Sequence, residues 1–69
     1  MSTRDHLVTM ANQIARNFAI RGEAAAAEVT AEHIRLFWAP QMVVDVTPDD
    51  PGLVPIARAA FRLVRADAG

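Results

Sequence analysis

The chain has 69 residues, a net charge of −1 and no cysteine. This length allows one small domain, and the missing cysteine excludes disulfides, zinc–thiolate sites and iron–sulfur ligation on this chain. A charge this close to zero argues against a general affinity for nucleic acid or for an anionic membrane. Apolar residues make up 52% of the sequence, and many of them are alanine, the best helix former.

The first predicted helix covers residues 3–21. Ser2 and Asp5 have the spacing of a capping box at its start. Four apolar residues recur at steps of four, three and four and so share one helical face: Leu7, Ala11, Ile14 and Phe18. Gly22 follows as the residue type that helix C-termini favour. The pattern predicts an amphipathic helix with one buried face.

The second predicted helix covers residues 23–39, because Pro40 blocks its continuation. One apolar stripe consists of Ala24, Ala27, Ala31, Ile34 and Trp38. Val29 and Leu36 lie nearly opposite this stripe, so the helix is apolar over most of its circumference. Its charged residues after the first turn occupy an arc of roughly 60° and should form a solvated face. Such a helix is expected to be covered on more than one side.

Residues 40–52 carry three prolines and read as a loop. The apolar residues inside it could form a short helical turn or an extended piece. Asp49 and Asp50 before Pro51 resemble a helix cap and first position, whereas Pro55 would favour a later start. We predict the last helix over residues 53–66. Its only polar edge should be solvated or should pair with carboxylates of a partner, and it consists of Arg58, Arg62 and Arg65.

The predicted fold is all-α: residues 1–69 form a single domain, a small bundle of three helices, with a short turn as a possible addition. The second and third helices carry more apolar surface than three short helices can cover among themselves. Contiguous exposed patches of this kind are rare on monomers, so another chain is expected to bury the surplus. Both a homo-oligomer and a small subunit bound to a larger protein fit this pattern.

Catalytic and metal-binding patterns find little support in the sequence. His6 and His33 are the only histidines, and they are too far apart to suggest a metal site. Glu28 and Glu32 lie one turn apart on the wettest part of the second helix, and the glycines make no phosphate loop. We expect a chain that is not an enzyme by itself and binds no metal or cofactor. No apolar run exceeds four residues, so we also expect a cytoplasmic protein outside the membrane.

The most distinctive segment is residues 33–42, His-Ile-Arg-Leu-Phe-Trp-Ala-Pro-Gln-Met. It places two aromatic residues and a methionine around a helix-stopping proline. Tryptophan is enriched among residues that dominate interface energy, so this corner is a candidate partner anchor; the alternative is that Trp38 fills the bundle's own core. The candidate partner contacts are Asn12, Gln13, Val29, His33, Leu36, Phe37, Trp38, Pro40, Met42 and Phe61.

This segment, together with residues 7–15 (Leu-Val-Thr-Met-Ala-Asn-Gln-Ile-Ala) and residues 53–55 (Leu-Val-Pro), resembles the delta subunit of soluble NAD-dependent formate dehydrogenase. The chain departs from the family pattern at Asn17, where an aromatic residue is frequent, and at Gln41, where a basic residue is common. The resemblance covers nearly the whole chain.

The resemblance implies a cytoplasmic complex that oxidises formate to carbon dioxide and passes electrons to NAD. The molybdenum or tungsten cofactor, the iron–sulfur clusters and FMN would belong to the larger subunits, and none to this chain. The delta chain would be a non-catalytic accessory subunit that packs on the catalytic subunit and supports assembly, stability or cofactor insertion.

The alternative function is a small helical homodimeric regulator or a protein-binding adaptor. A DNA-binding helix-turn-helix needs polar and basic residues on an exposed recognition helix. The third helix has arginines but almost no polar side chains for base edges. We therefore expect no nucleic-acid partner.

Overall fold

The computed structural model describes residues 2–68, and it is helical without strands over this range. The α-helices are α1 (Thr3–Phe18), α2 (Glu23–Phe37), α3 (Pro40–Val44) and α4 (Pro55–Ala68), and a 3₁₀ helix (Ala19–Arg21) follows α1. The three long helices pack together, with α2 against α4 as the most extensive pair. The prediction of a small all-α bundle is confirmed.

The start and end of α1 follow from local chemistry. Ser2 and Asp5 form the predicted capping box, in which the Asp5 amide donates to Ser2 Oγ at 3.1 Å. The α-helix ends at Phe18, and its last turn tightens into the 3₁₀ helix. Gly22 then turns the chain with a φ of +93°, a conformation that residues with a Cβ rarely adopt.

The second helix ends two residues earlier than predicted. Trp38 and Ala39 are extended, with φ/ψ of −90°/137° and −67°/149°, because a proline disfavours helical conformation in the residue before it. Pro40 is instead the first residue of α3, a position that suits its fixed φ and missing N–H. Of the two conformations left open for this segment, the short helical turn is the correct one.

The last helix begins at Pro55, so of the two starts that the sequence left open the later one is correct and the start at residue 53 is not. Asp49, Asp50 and Pro51 do not cap a helix. Asp50 Oδ1 accepts a hydrogen bond from the Gly52 amide at 2.9 Å, which closes a turn, and its Oδ2 lies 2.7 Å from the Arg4 guanidinium. The aspartate is therefore used by the loop and by α1.

The core combines alanines with larger aliphatic and aromatic side chains. The buried residues of the main cluster are Leu7, Val8, Ala11, Ala15, Ala31, Ile34, Trp38, Val46, Leu53, Ala57, Ala60, Phe61 and Val64. The Trp38 and Phe61 rings meet edge to face, with centroids 5.7 Å apart. Among the described side chains of α4, Leu63 is the one large apolar residue more than a third exposed, at 37%. Packing against α2 therefore covers most of the surplus apolar surface that the sequence predicted for this helix.

Two arginines of α4 hold the loop that precedes it. Arg58 donates to the carbonyls of Pro48, Asp50 and Leu53 at 3.0–3.3 Å, and Arg65 donates to the Val46 carbonyl at 2.8 Å. The prediction of a solvated or carboxylate-paired arginine edge is wrong for Arg58, which is half-buried against the loop, whereas Arg65 is exposed and also bonds to the loop. Loop carbonyls lack helical partners, and a guanidinium offers five donors to satisfy them.

Candidate partner-binding surface

One side of α2 carries apolar side chains that the bundle leaves uncovered. Leu36 and Phe37 are 69% and 71% exposed, and Val29 and His33 are half-buried. Their spacing of four, seven and eight residues places them on one side of the helix. We name this patch, together with Phe18 of α1, the α2 surface.

The α2 surface forms a shallow groove of about 340 Å³, which Arg21 and Glu32 also line. The His33 and Phe37 rings lie 4.7 Å apart in a tilted arrangement. The Arg21 guanidinium lies 5.4 Å from the centre of the Phe18 ring, within cation–π range. These contacts place the rings of Phe18 and Phe37 next to polar side chains of the same surface.

A second groove lies between α1 and α4. It has a volume of about 220 Å³, below the usual 300–1,000 Å³ of small-molecule sites. We name it the α1/α4 groove, and its apolar lining consists of Ala15, Ala19, Val54, Pro55 and Ile56. Arg16 and Glu23 contribute one charge of each sign. Its size and lining suit protein side chains better than a cofactor.

The structure divides the predicted anchor corner between the surface and the core. Phe37 faces outward, whereas Trp38 is only 7% exposed and packs on Phe61, which is fully buried. Trp38 and Phe61 are therefore corrected to core residues, since their own bundle covers them. Pro40 is exposed at the start of α3, and Met42 is half-buried against the core.

The two polar candidates on α1 have different surroundings. Asn12 is engaged inside the chain: its Nδ2 donates to the Gly52 carbonyl at 2.8 Å, and its Oδ1 accepts from the Val54 amide at 2.9 Å. These bonds join α1 to the segment before α4, and Asn12 is half-buried, so its role as a partner contact stays a prediction. Gln13 is exposed and has one long hydrogen bond of 3.4 Å to Asn17, so it stays a candidate contact.

Sequence reasoning missed three residues that line the α2 surface. Phe18 fell within the buried stripe predicted for the first helix, and Arg21 and Glu32 were not singled out as contacts. The signal for Phe18 was its position as the last residue of α1. An apolar stripe that continues to the end of a helix extends past the core, so its last side chain is a candidate surface residue.

The described residues contain no group of three or more histidine, aspartate or glutamate side chains placed to hold one metal ion. Glu28 and Glu32 are exposed. Across residues 2–68, no helix has both the length and the hydropathy needed to cross a bilayer. The exposed apolar side chains on α2 and the aromatic ring at the end of α1 suit the binding of a protein partner.

Comparison with known proteins agrees with this picture. One protein family, described as NADH-dependant formate dehydrogenase delta subunit FdsD, matches residues 6–61. This range exceeds half of the chain and contains both residues 33–42 and residues 53–55. No curated protein and no solved structure matches the chain.

Proposed function

The chain belongs to the FdsD family of NADH-dependent formate dehydrogenase delta subunits, and on this premise we propose that it is a non-catalytic accessory subunit bound to the catalytic subunit. A delta subunit belongs to a complex with other subunits, so its surface needs a site for at least one of them. We assign this role to the α2 surface.

The exposure of Leu36 and Phe37 supports this assignment most directly. Both side chains are more than two-thirds exposed, although Ile34 on the same helix and Trp38 directly after it are buried. Burying a large apolar side chain contributes about 1.5–3 kcal/mol, so covering this pair would favour association by several kcal/mol. Contiguous exposed apolar side chains on a small domain are typical of a protein interface.

The accessory role follows from what the chain can offer chemically. It has no cysteine to ligate an iron–sulfur cluster. As the family resemblance implies, we assign the molybdenum or tungsten cofactor, the iron–sulfur clusters and FMN to the larger subunits. The delta chain acts in the cytoplasm by covering an apolar face of the catalytic subunit. A partner that binds only the folded form stabilises it by mass action, which supports assembly, stability or cofactor insertion.

The interface is tested with a charge on the α2 surface. Leu36→Glu should lower co-purification of the delta chain with the catalytic subunit at least tenfold, because a carboxylate would be buried without a partner. Val44→Glu is the matched control, since Val44 is 65% exposed and lines neither groove. Undiminished co-purification of Leu36→Glu would show that the partner binds elsewhere.

The non-catalytic role has its own test in the assembled complex. Alanine at Glu28, Glu32 or His33 should leave formate oxidation per bound metal cofactor within a few-fold of wild type. A loss of several orders of magnitude, with subunit composition and cofactor content intact, would contradict an accessory role.

A further inference from the structure

We propose that the binding surface for the catalytic subunit continues from the α2 surface across the 3₁₀ helix into the α1/α4 groove, with Ile20 as its central anchor. This inference rests on the proposed function, because the occupant is the same catalytic subunit. It adds a second groove and one residue that neither the sequence pattern nor the family description singles out.

The α2 surface is too small to account for a stable complex by itself. It consists of five residues, whereas a standard protein interface involves about 20–30 residues and about 800 Å² on each side. A lasting complex therefore needs contacts beyond α2, and exposed apolar residues next to it are the first candidates.

Ile20 is the most exposed large apolar residue among the described side chains, at 95%. It lies within a regular element, the 3₁₀ helix after α1. The 3₁₀ helix that carries it is closed by a hydrogen bond of 3.1 Å from the Gly22 amide to the Ala19 carbonyl. The bundle thus holds an uncovered aliphatic side chain on an ordered turn, the arrangement expected of an anchor that enters a socket in a partner.

The neighbours of Ile20 connect the two grooves. Ala19 lines the α1/α4 groove, and Arg21 lines the groove of the α2 surface. Ile20 lies between them in the chain, and its side chain is exposed. A partner that covers the α2 surface and reaches Ile20 is already at the edge of the α1/α4 groove.

The charges indicate the chemistry of the occupant. Each groove is lined by one arginine and one glutamate: Arg21 with Glu32, and Arg16 with Glu23. We expect apolar partner side chains to fill both grooves, with a carboxylate near each arginine and a cation near each glutamate. Such pairs fix orientation more than they add affinity.

A second copy of the chain fits this surface less well than a larger subunit does. A two-fold dimer about Ile20 would place the Ile20 side chains of the two copies against each other and leave both grooves unfilled. Insertion of Ile20 into the α1/α4 groove of another copy would be a heterologous contact, which repeats from copy to copy into open chains. A larger partner can receive Ile20 in a pocket of its own and place side chains in both grooves.

The test measures the affinity of the full delta chain for the other subunits in the co-expressed complex, by competition with labelled wild-type chain. Ile20→Asp should weaken binding at least 30-fold, about 2 kcal/mol, and Ile20→Leu should stay within about threefold because the aliphatic bulk remains. Val44→Asp, an exposed site outside both grooves, should bind like wild type. Unchanged circular dichroism will show that Ile20→Asp still folds, as expected for a side chain that touches little.

The outcomes separate this inference from the proposed function. If Ile20→Asp binds like wild type while Leu36→Glu does not, the extension is wrong and the α2 surface stands. If the wild-type chain itself does not bind the larger subunits, the proposed function fails and the extension with it. If Ile20→Asp disrupts only self-association of the isolated chain, the occupant is a second copy and the proposal is overturned.

Discussion

Asn12 fixes the entry into α4 with both ends of its side-chain amide. We expect Asn12→Ala to lower the free energy of unfolding by about 2 kcal/mol, because two hydrogen bonds of about 1 kcal/mol each are lost. Urea denaturation of the isolated chain measures this. Gln13→Ala is the control on the next position, and its effect should stay below about 0.5 kcal/mol. Equal stability of the two variants would show that the Asn12 contacts do not support the fold.

Substitutions of the two adjacent aromatic residues at the end of α2, Phe37 and Trp38, should have separate effects on folding and on binding. Trp38→Ala removes a buried ring and should cost about 3–5 kcal/mol of folding stability. Phe37→Ala should change folding stability by less than about 0.5 kcal/mol and should weaken the complex. Denaturation and co-purification of both variants give the comparison. A folding defect in Phe37→Ala with normal binding would reverse the assigned roles.

Thr30 is fully buried in α2, and its hydroxyl oxygen has no hydrogen-bond partner among the described residues. Leaving a buried hydroxyl unsatisfied costs about 1–3 kcal/mol. Thr30→Val keeps the shape and removes the polar atom, so it should raise the free energy of unfolding by about 1 kcal/mol. Thr9→Val is the control, since the Thr9 hydroxyl is exposed and donates to the Asp5 carbonyl at 3.0 Å. A destabilised Thr30→Val would show that this hydroxyl has a partner in solution.

The loop between α3 and α4 depends on the arginines of the helix that follows it. Arg58→Met should remove the guanidinium donor from three loop carbonyls, of which the Asp50 carbonyl keeps the Leu53 amide. Hydrogen bonds to charged groups contribute about 1.5–3 kcal/mol each. We expect hydrogen exchange of the Asp50 and Leu53 amides to accelerate at least tenfold. Arg62→Met, at an exposed position of the same helix, should leave exchange unchanged. Unaltered exchange in Arg58→Met would mean that the backbone hydrogen bonds of the turns keep the loop in place without Arg58.

The elements differ in how far the sequence predicts them. The start of α1 and the exposed side of α2 were predictable, because a capping box and a helical periodicity are local patterns. The path of the loop was not, since Arg65 reaches back 19 positions to Val46, and Asn12 bonds to Val54 at a separation of 42. Contacts at such separations depend on how helices pack, which no local pattern encodes.

The candidate surface was predictable in part for the same reason. Val29 and Leu36 stood out because they lie opposite the core stripe of α2. Trp38 was left between an interface anchor and a core residue, because residue type alone does not distinguish the two, and its burial supports the core role. Ile20 escaped notice because a short 3₁₀ helix after α1 rotates residues away from the helical pattern that precedes it.

The whole molecule should not remain a clean monomer when its partner is absent. With the α2 surface and Ile20 uncovered, sedimentation of the isolated chain at low micromolar concentration should show dimers, larger species or aggregates, and melting should depend on concentration. Leu36→Glu should shift this distribution toward the monomer. A monodisperse wild-type monomer with a sharp, concentration-independent melt would show that these patches are too small to drive association.

The arginine contacts to the loop have a practical consequence. Arg58 and Arg65 contact main-chain carbonyls, which every amino acid provides, so the path of residues 46–53 does not require particular side chains at its exposed positions. Thr47 is one of these positions, and its carbonyl only accepts the Asp50 amide. Because the chain has no cysteine of its own, a cysteine placed at position 47 would be a unique attachment point for a fluorophore. A dye at that position lies outside both grooves, so it can report on assembly of the complex without obstructing it.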